Sequence, residues 1–280
     1  MDHPGARLRK ALTTNQPLPI AGTINAYTAL LAQHAGFQAI YLSGAGVANA
    51  SYGLPDLAIT TLNDVLEDTR RITDSCSLPL LVDIDTGWGT TLNIARAIHT
   101  IAKAGAAGVH IEDQVFAKRC GHHSGKKLIR SDEMVERIQA AKDAKTHPDF
   151  ILMARTDALA VEGLQAAIDR ACCYVAAGAD MIFFEGATEL SQYQALSLAC
   201  QAPILANMTE FGVTPLFTRK ELGAAGVSLA LYPLTAFRAM SATALHVYQT
   251  LLREESQKSL LPSLQTREDL YKILHYKEYE

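Results

Sequence analysis

The sequence has 280 residues, of which 49% are hydrophobic, and its formal net charge is −4. A chain of this size can bury one large core. No apolar run approaches the length of about 18 residues that a membrane helix needs, and the basic residues form no stripe that would bind nucleic acid. Its five cysteines are an odd number without paired spacing, which argues against a disulfide framework. We expect a soluble, cytoplasmic protein that binds neither nucleic acid nor a membrane.

Short apolar segments alternate with longer amphipathic ones, a pattern typical of repeated strand and helix units. The apolar segments are 20–24, 39–43, 79–84, 108–112, 150–155, 181–185, 203–207 and 227–232. Amphipathic helices are predicted at 92–104, 132–145, 164–177 and 236–252, among others. Eight strands that are each followed by a helix predict an α/β fold, a (β/α)8 TIM-type barrel, as one domain over residues 1–280. A doubly wound open sheet is the alternative.

The segment 43–50, SGAGVANA, follows the second strand and faintly resembles a dinucleotide-binding fingerprint. Asn49 replaces the third glycine, and Tyr52 to Pro55 would break a helix on which a pyrophosphate could lie. We predict instead a tight turn in which the backbone N–H groups of Ser43, Gly44 and Ala45 bind a substrate carboxylate. A purely structural turn remains open at this point.

Polar residues stand at the ends of most predicted strands. In a barrel these ends share one rim, where the active sites of this fold lie, so residues distant in sequence would meet there. Loops are polar in any case, which could account for part of the pattern. The strand-end residues are Asp83, Asp85, Glu112, Asp113, Arg155, Asp157, Glu185, Asn207, Thr209 and, after the eighth strand, Arg238.

The segment 82–89, VDIDTGWG, predicts a metal site. Asp83 and Asp85 stand at alternate positions of a strand, so both would point to the same side, where Glu112 of the adjacent strand could join them. Such an all-oxygen cluster suits Mg²⁺ or Mn²⁺, with Asp56 joining through a water. The alternative is zinc bound by the Cys-x-His-His run at 120–123, which lacks a second well-spaced ligand cluster.

The segment 110–127, HIEDQVFAKRCGHHSGKK, places the lone Cys120 among lysine, arginine and histidine residues. Cationic neighbours favour the thiolate and lower a cysteine pKa from its ordinary value of about 8.5. Gly121 and Gly125 favour a loop rather than a helix. We predict a reactive cysteine, and a solvated basic loop with an inert cysteine is the alternative.

Motifs along almost the whole chain resemble those of the bacterial 2-methylisocitrate lyases, within the isocitrate lyase and phosphoenolpyruvate mutase superfamily. They are YLSG, GLPD, DIDTGWG, HIEDQ, KRCGH, MARTDA, FFEG, ILANMTEFG, ALYPL with AFRAM, and LQTREDLY. KRCGH is the most specific of them. The chain departs from the family where it has SGAG for SGGG, Phe184 for proline and HHSGKK for HRPNK. The resemblance implies a (β/α)8 barrel that often forms a homotetramer, in which a C-terminal helix exchanges between subunits.

The resemblance also implies cleavage of 2-methylisocitrate to pyruvate and succinate, a step of propionate catabolism in the methylcitrate cycle, with Mg²⁺ or Mn²⁺ at the acidic cluster. Cys120 would exchange a proton with the succinate carbanion, Glu185 would orient the hydroxyl or the metal waters, and Tyr41 is a candidate base. Arg155 and Arg238 would bind carboxylates, and Phe183 and Leu231 would line a pocket for the methyl group. Further substrate contacts would be Ser43, Gly44, Ala45, Gly121, His122, Asn207, Thr209 and Arg267.

Three alternatives of function remain. Isocitrate, which differs from 2-methylisocitrate by one methyl group, could be the substrate. A malate-type acid is also possible, because Phe184 and Gly186, where relatives differ, could change the pocket. A phosphonate-forming mutase or an oxaloacetate decarboxylase would share the acidic site but would not need Cys120. A non-catalytic barrel would bind magnesium or an anion without turnover. The C-terminal segment 264–280 is either a docking or exchanged helix or only a tail.

Overall fold

A computed structural model describes residues 2–119, 121 and 125–280 of the chain. Its strands are parallel and close into a barrel in sequence order, β1 to β8, with β8 paired to β1. This confirms the predicted barrel and excludes the open sheet. The strands are β1 (Leu18–Gly22), β2 (Ile40–Leu42), β3 (Leu80–Asp83), β4 (Gly108–Glu112), β5 (Ile151–Thr156), β6 (Met181–Phe184), β7 (Ile204–Asn207) and β8 (Leu229–Tyr232).

Helices on the outside of the barrel connect successive strands. The four helices predicted above are present, and the one at 164–177 has the predicted ends, because Gly178 adopts a left-handed φ of 118° that terminates it. The helices are α1 (Pro4–Thr14), α2 (Ala26–His34), α3 (Gly44–Gly46), α4 (Leu62–Ser75), α5 (Thr91–Lys103), α6 (Ser131–Asp143), α7 (Leu159–Glu162), α8 (Leu164–Ala177), α9 (Leu190–Ala199), α10 (Arg219–Ala224), α11 (Thr235–Glu254) and α12 (Arg267–Ile273).

The first strand was predicted wrongly at both ends, since β1 runs two residues earlier than 20–24. Proline is a poor strand residue because it donates no backbone hydrogen bond, yet Pro19 lies inside β1. The register explains this: β1 pairs with β8 from Leu18 onward but with β2 only from Ala21. The N–H of Leu18 donates to the carbonyl of Ser228, just before β8, and the N–H of Ala21 donates to the carbonyl of Ala39, just before β2. Because successive backbone nitrogens point to opposite sides, the nitrogen of Pro19 points to the side of β2. Strand β2 pairs with β1 only from Ala21 onward, so no hydrogen bond from residue 19 is needed there.

Both faces of the strands are apolar, which is why they read as continuous hydrophobic runs. Alternate residues face opposite sides, so Leu81 belongs to the cluster inside the barrel and Val82 to the cluster between the barrel and its helices. Leu8 and Leu12 of α1 belong to the inner cluster. Helix α1 therefore closes the amino-terminal end of the barrel and leaves the carboxyl-terminal rim as the place for a site.

The C-terminal segment is helical, as predicted, with α12 and a short 3₁₀ turn at Tyr276–Glu278. Tyr27, in α2, donates a hydrogen bond to Gln265 at 2.9 Å, which ties this segment to the start of α2. Helix α11 is exposed along most of its 20 residues. Among the helices of the described residues, none has the length and apolar character that a membrane crossing requires.

Candidate active site

The carboxyl ends of the strands surround a cavity of about 70 Å³ at the rim where this fold carries its active sites. Most of its wall consists of residues that the sequence analysis singled out. These are Tyr41, Ser43, Ala45, Asp56, Asp83, Gly121, Arg155, Phe183, Glu185, Asn207 and Thr209, and the wall also contains Lys118, Pro233 and Leu234. The barrel thus brings together side chains that are more than 160 residues apart in sequence, from Tyr41 to Thr209.

Arg155, near the end of β5, is surrounded by carboxylates. It binds Asp157 through two contacts, Nε to Oδ2 at 3.0 Å and Nη2 to Oδ1 at 3.2 Å, while Glu112 and Glu185 each approach to 3.4 Å. Burial opposes the charged form, but the three carboxylates, Asp157 foremost, raise the pKa of Arg155 well above its ordinary value. Arg155 is a fixed cation in the cavity wall, and its planar fork suits a substrate carboxylate.

Asp157 is a residue to which the sequence analysis gave no role. It is fully buried, and besides Arg155 it accepts a hydrogen bond from Lys126 Nζ at 2.9 Å. Burial would raise the pKa of Asp157, but Arg155 and Lys126 together lower it. The available signal was spacing, since an acid two residues after an arginine at a strand end can reach back to it.

Glu185 connects Arg155 with the seventh strand. Its Oε2 accepts a hydrogen bond from Asn207 Nδ2 at 3.2 Å, and its Oε1 accepts one from the N–H of Gly186 at 3.0 Å. The ring of Phe183 lies under Arg155, with the guanidinium carbon 5.0 Å from the ring centre. These contacts orient the polar and the apolar wall of the cavity relative to each other.

Asp83 and Asp85 do not occupy alternate positions of one strand, as the sequence analysis predicted. Strand β3 ends at Asp83, and Asp85 lies in the following turn with a φ of 47°. The two carboxylates nevertheless face the same place. A Cβ added to Gly44 would lie 3.1 Å from Asp85 Oδ1 and 3.2 Å from Asp83 Oδ2. The turn, rather than the strand pleat, brings them together.

Lys118 places a buried cation among these acids, with Nζ 2.5 Å from Asp56 Oδ1 and 2.9 Å from Asp85 Oδ1. Burial, together with the charges of Asp83 and Asp56, raises the pKa of Asp85 to about 6 although Lys118 works in the opposite direction. Burial would also raise the pKa of Asp83, but His110, Lys118 and Arg155 together lower it to about 2. Asp56, Asp83 and Asp85 together therefore carry more negative charge than the single ammonium group of Lys118 neutralises.

The predicted metal cluster is not assembled in the described residues, where no three acidic, histidine or cysteine side chains are arranged to hold one ion. Glu112 is turned toward Arg155, and Lys118 contacts Asp56 and Asp85. The donor chemistry still fits a divalent ion, because the available groups are carboxylate oxygens. Glu112 Oε1 is buried without a hydrogen-bond partner among the described residues, and Lys118 acts as a stand-in cation.

Tyr41 lies below the acids. Its hydroxyl donates to Asp83 Oδ2 at 3.3 Å and lies 2.8 Å from His110 Nε2. Burial, assisted by Asp83, raises the pKa of Tyr41 well above its ordinary value, so the phenol keeps its proton. Burial lowers the pKa of His110 to about 4, and this ring is neutral at pH 7. These properties suit Tyr41 to orient Asp83 and argue against it as the base.

Several predicted substrate contacts have other partners. The N–H of Gly44 donates to Asp83 Oδ2 at 3.0 Å, so it is not free for a substrate carboxylate. The predicted tight turn is instead a helical turn, α3 followed by a π-helical turn at Val47–Ser51, with Ser43 before its first residue. Because the backbone is helical here, backbone amides form hydrogen bonds within the helical turn. Ser43 and Ala45, at the start of this turn, line the cavity.

Leu231, Arg238 and Arg267 do not line the cavity formed by the described residues. Leu231 points below the rim and is fully buried in the inner cluster of the barrel. Pro233 and Leu234 line the cavity where Leu231 was predicted to line it. Arg238 is half exposed, 3.5 Å from Glu210 and over the ring of Phe211. Arg267 lies at the exposed start of α12.

The predicted reactive thiol of Cys120, and His122 and His123 of the alternative zinc site, lie outside the described residues. Gly121 is described, and it packs on the cavity wall: a Cβ there would lie 2.4 Å from Arg155 Nη2 and 2.6 Å from Glu185 Cγ. Only a glycine fits at this position.

Comparison with known proteins gives a consistent picture. The family model described as "Phosphoenolpyruvate phosphomutase" matches residues 8–252. The chain is 62% identical over 278 residues to 2-methylisocitrate lyase of Escherichia coli (strain K12), covering 99% of this chain and 94% of that protein. A crystal structure of 2,3-dimethylmalate lyase superposes with a TM-score of 0.91 at 33% identity, covering 100% of this chain and 94% of the other. Phosphonopyruvate hydrolase in complex with oxalate and Mg²⁺ superposes with a TM-score of 0.87 at 27% identity, covering 99% and 97%.

Proposed function

The chain belongs to the phosphoenolpyruvate phosphomutase family, and on that premise we propose that it is a carbon–carbon lyase that cleaves 2-methylisocitrate to pyruvate and succinate. The observation that carries this proposal is the 62% identity, over nearly the full length of both chains, to a 2-methylisocitrate lyase. The rim site supports it, because a buried arginine and a set of acids face one small cavity that Gly121, the residue after Cys120 in the sequence, also lines.

The reaction needs two proton movements around one bond cleavage. The substrate hydroxyl loses its proton, its C–O bond becomes the carbonyl of pyruvate, and the adjacent C–C bond breaks. The electron pair of that bond remains on the succinate fragment and takes a proton. We propose that the thiol of Cys120 donates this proton, and that its thiolate removes it in the reverse direction. The cationic loop around Cys120 in the sequence supports a thiol whose pKa suits this exchange.

The chain's own residues would bind and orient the substrate. Arg155 offers its fork to a carboxylate, and the Asp157 contact fixes the direction of that fork. Ser43, Asn207 and Thr209 line the same cavity with groups that can hydrogen-bond the other carboxylates. Phe183 supplies an apolar surface for the methyl group.

A divalent ion, Mg²⁺ or Mn²⁺, would supply Lewis-acid stabilisation of the developing oxygen charge when bound. Asp83 and Asp85 would hold it, with Glu112 and Asp56 as further donors. The excess of buried negative charge at these residues supports the proposal, as does the Mg²⁺ that accompanies oxalate in the related phosphonopyruvate hydrolase.

The exposed helix α11 and segment 264–280 fit a homo-oligomer, a tetramer by resemblance, in a cytoplasmic enzyme.

The test is to offer 2-methylisocitrate and isocitrate separately, each with Mg²⁺, and to follow pyruvate and glyoxylate. We expect pyruvate from 2-methylisocitrate at a kcat/KM roughly 10- to 200-fold above that for isocitrate, the range that one methyl group contributes in an apolar pocket. Cys120→Ser should bind substrate and lose orders of magnitude in kcat, since a hydroxyl is a far weaker acid. Glyoxylate as the dominant product would assign the chain to isocitrate cleavage instead.

A malate-type acid is the second candidate substrate, because the structure of 2,3-dimethylmalate lyase superposes over the whole chain. Its dicarboxylate would leave one of the polar groups around the cavity without a partner. Assaying 2,3-dimethylmalate beside the two tricarboxylates separates the candidates. A higher kcat/KM for the dicarboxylate would favour this second reading.

A further inference from the structure

We infer that Asp113 is a positioning residue for Arg155, which it holds from the helix side of the barrel wall through Asp157. The inference rests on the proposed function, in which Arg155 binds a substrate carboxylate. Asp113 directly follows β4 and is fully buried, and it is not among the described residues that line the cavity. The contacts that support the inference all come from the ends of β4 and β5 and from helix α8.

Asp113 lies on the outer face of the barrel wall. Alternate strand residues face opposite sides, and Ala154 belongs to the cluster between the barrel and its helices. Thr156 continues this outer face, whereas Arg155 lines the cavity on the inner one. The hydroxyl of Tyr174, in α8, donates to Asp113 Oδ2 at 2.9 Å, which agrees with the outward direction of this carboxylate. Asp113 therefore acts on the cavity from behind the strands.

The Asp113 carboxylate holds the residues that directly follow Arg155. Its Oδ2 accepts a hydrogen bond from the Thr156 hydroxyl at 2.7 Å, and its Oδ1 accepts one from the N–H of Asp157 at 3.0 Å. The Thr156 hydroxyl in turn accepts a hydrogen bond from the N–H of Ala158 at 3.2 Å. One side chain thus sets the direction of the backbone where β5 ends, because three successive residues are tied to it directly or through one hydroxyl.

Asp157 passes this constraint on to the guanidinium of Arg155. Asp157 contacts Nε at 3.0 Å and Nη2 at 3.2 Å, whereas Glu112 and Glu185 each stay at 3.4 Å. The closest carboxylate decides which way the planar guanidinium faces, and Asp157 stays closest only while its backbone keeps its place. Without that anchor, Arg155 would turn to one of the two glutamates and would no longer face an incoming carboxylate.

The burial of Asp113 indicates that it does more than fill space. A buried carboxylate is costly unless it is paired and hydrogen-bonded, and an apolar side chain could fill the space between β4 and α8 without such partners. Arg170 Nη1, in α8, lies 3.6 Å from Asp113 Oδ2 and supplies the opposite charge. A carboxylate can accept hydrogen bonds from α8 and from residues 156 and 157 at the same time. The position of Arg155 is thereby linked to the packing of α8.

The test compares Asp113→Ala, which removes the acceptor oxygens, with Asp113→Asn, whose amide oxygen can still accept from the N–H of Asp157. The matched control is Asp68→Ala. Asp68 is also a buried acid, it accepts a hydrogen bond from Ser51 at 2.6 Å, and it lies in α4. For each variant, kcat and KM for 2-methylisocitrate with Mg²⁺ are measured together with the melting temperature. Calorimetry gives the Kd for oxalate with Mg²⁺, a dicarboxylate probe whose binding needs no turnover.

We expect Asp113→Ala to raise KM and the Kd for oxalate by roughly 10- to 100-fold, the upper value being the effect of displacing a group by about 1 Å, while kcat changes less. Asp113→Asn should keep both constants within about threefold of the parent, because its amide oxygen is still an acceptor. Asp68→Ala should lower the melting temperature and leave both constants unchanged.

A second pair of variants keeps the test decisive if Asp113→Ala does not fold. Thr156→Val removes the hydroxyl that donates to Asp113, and Thr156→Ser keeps it. The valine variant should raise KM and the Kd for oxalate, and the serine variant should restore them. Thr69→Val is the control, because Thr69 is equally buried and its hydroxyl donates to the carbonyl of Val65 within α4.

Two results would overturn the inference. One is a folded Asp113→Ala or Thr156→Val enzyme with the parental KM and the parental Kd for oxalate, whatever its melting temperature. The other is an Asp113→Asn enzyme as weak in binding as Asp113→Ala, since the charge beside Arg170 would then matter and not the hydrogen bonds to residues 156 and 157. Failure of the proposed function looks different: the parent enzyme would release no pyruvate from 2-methylisocitrate, while oxalate binding would still rank the variants as expected.

Discussion

Gly121→Ala tests the packing of Gly121 against Arg155, the arginine proposed to bind a substrate carboxylate. The added Cβ would lie 2.4 Å from Arg155 Nη2 and within 2.8 Å of two carbon atoms of Glu185. Real Cβ atoms do not approach other atoms this closely, so either the loop or the arginine must move. The arginine is held by Asp157 through two contacts and is flanked by two glutamates. The loop is therefore the part that moves.

The magnitude follows from the cost of overpacking a closely packed site, which is about 1 to 3 kcal/mol. At about 1.4 kcal/mol for each factor of ten, this corresponds to a loss of roughly 5- to 140-fold in kcat/KM if the closed arrangement is needed for turnover. The melting temperature should change little, because the strain is relieved by moving a loop at the rim and not by opening the core.

The assay is pyruvate release from 2-methylisocitrate, with kcat and KM measured beside thermal unfolding. Gly36→Ala is the control, because Gly36 is a surface glycine with a φ of 94° and open space around the added Cβ. It should lower stability through backbone strain and leave kcat/KM unchanged. A Gly121→Ala enzyme with kcat/KM within twofold of the parent would refute the reasoning, since Gly121 would then not pack against Arg155 in the working enzyme.

Three further outcomes follow from the buried charges. Arg155→Lys should raise KM by about 100-fold or more, because a point charge cannot replace two parallel hydrogen bonds, and an unchanged KM in steady-state assays would remove Arg155 from the binding site. Lys118→Met should lower the metal-free melting temperature, and Mg²⁺ should then stabilise this variant more than it does the parent; equal shifts with Mg²⁺ would contradict the stand-in role. Arg170→Met should cost about 3 to 5 kcal/mol in urea unfolding, because this buried guanidinium binds both carboxylate oxygens of Glu162 at 2.7 Å and lies 3.6 Å from the buried Asp113. A cost below about 1 kcal/mol would show that these two acids do not need that charge.

The barrel could be predicted because its signal is repeated eight times in the chain. Each strand is an apolar run, most of them end at a polar residue, and an error in the bounds of one strand, such as β1, does not change the number of strands. Strand ends were less certain. Pro19 is tolerated inside β1 because of where the neighbouring strand begins, which is a property of the register. Local sequence carries little information about such pairing.

Which strand-end side chains would meet at the rim could be predicted, whereas their hydrogen-bond partners could not. Arg155, Glu185 and Asn207 line one cavity at the rim because the fold alone brings strand ends together, and their roles remain predictions. The partners were not predictable, since Lys118 reaches back from a loop into the acids and the N–H of Gly44 binds Asp83. Which polar group satisfies which other one depends on three-dimensional proximity to within a fraction of an ångström.

The seal formed by α1 has a kinetic consequence. Leu8 and Leu12 fill the amino-terminal end of the barrel together with inward residues of the strands, so within the described part of the chain the cavity is approached from the carboxyl-terminal rim. A reaction that splits one molecule into two would then release both fragments through the same opening of the cavity. The fragment nearer this opening has to leave before the deeper one. Product-inhibition patterns should therefore show an obligatory sequence of departure, in which only the last fragment to leave competes directly with incoming substrate.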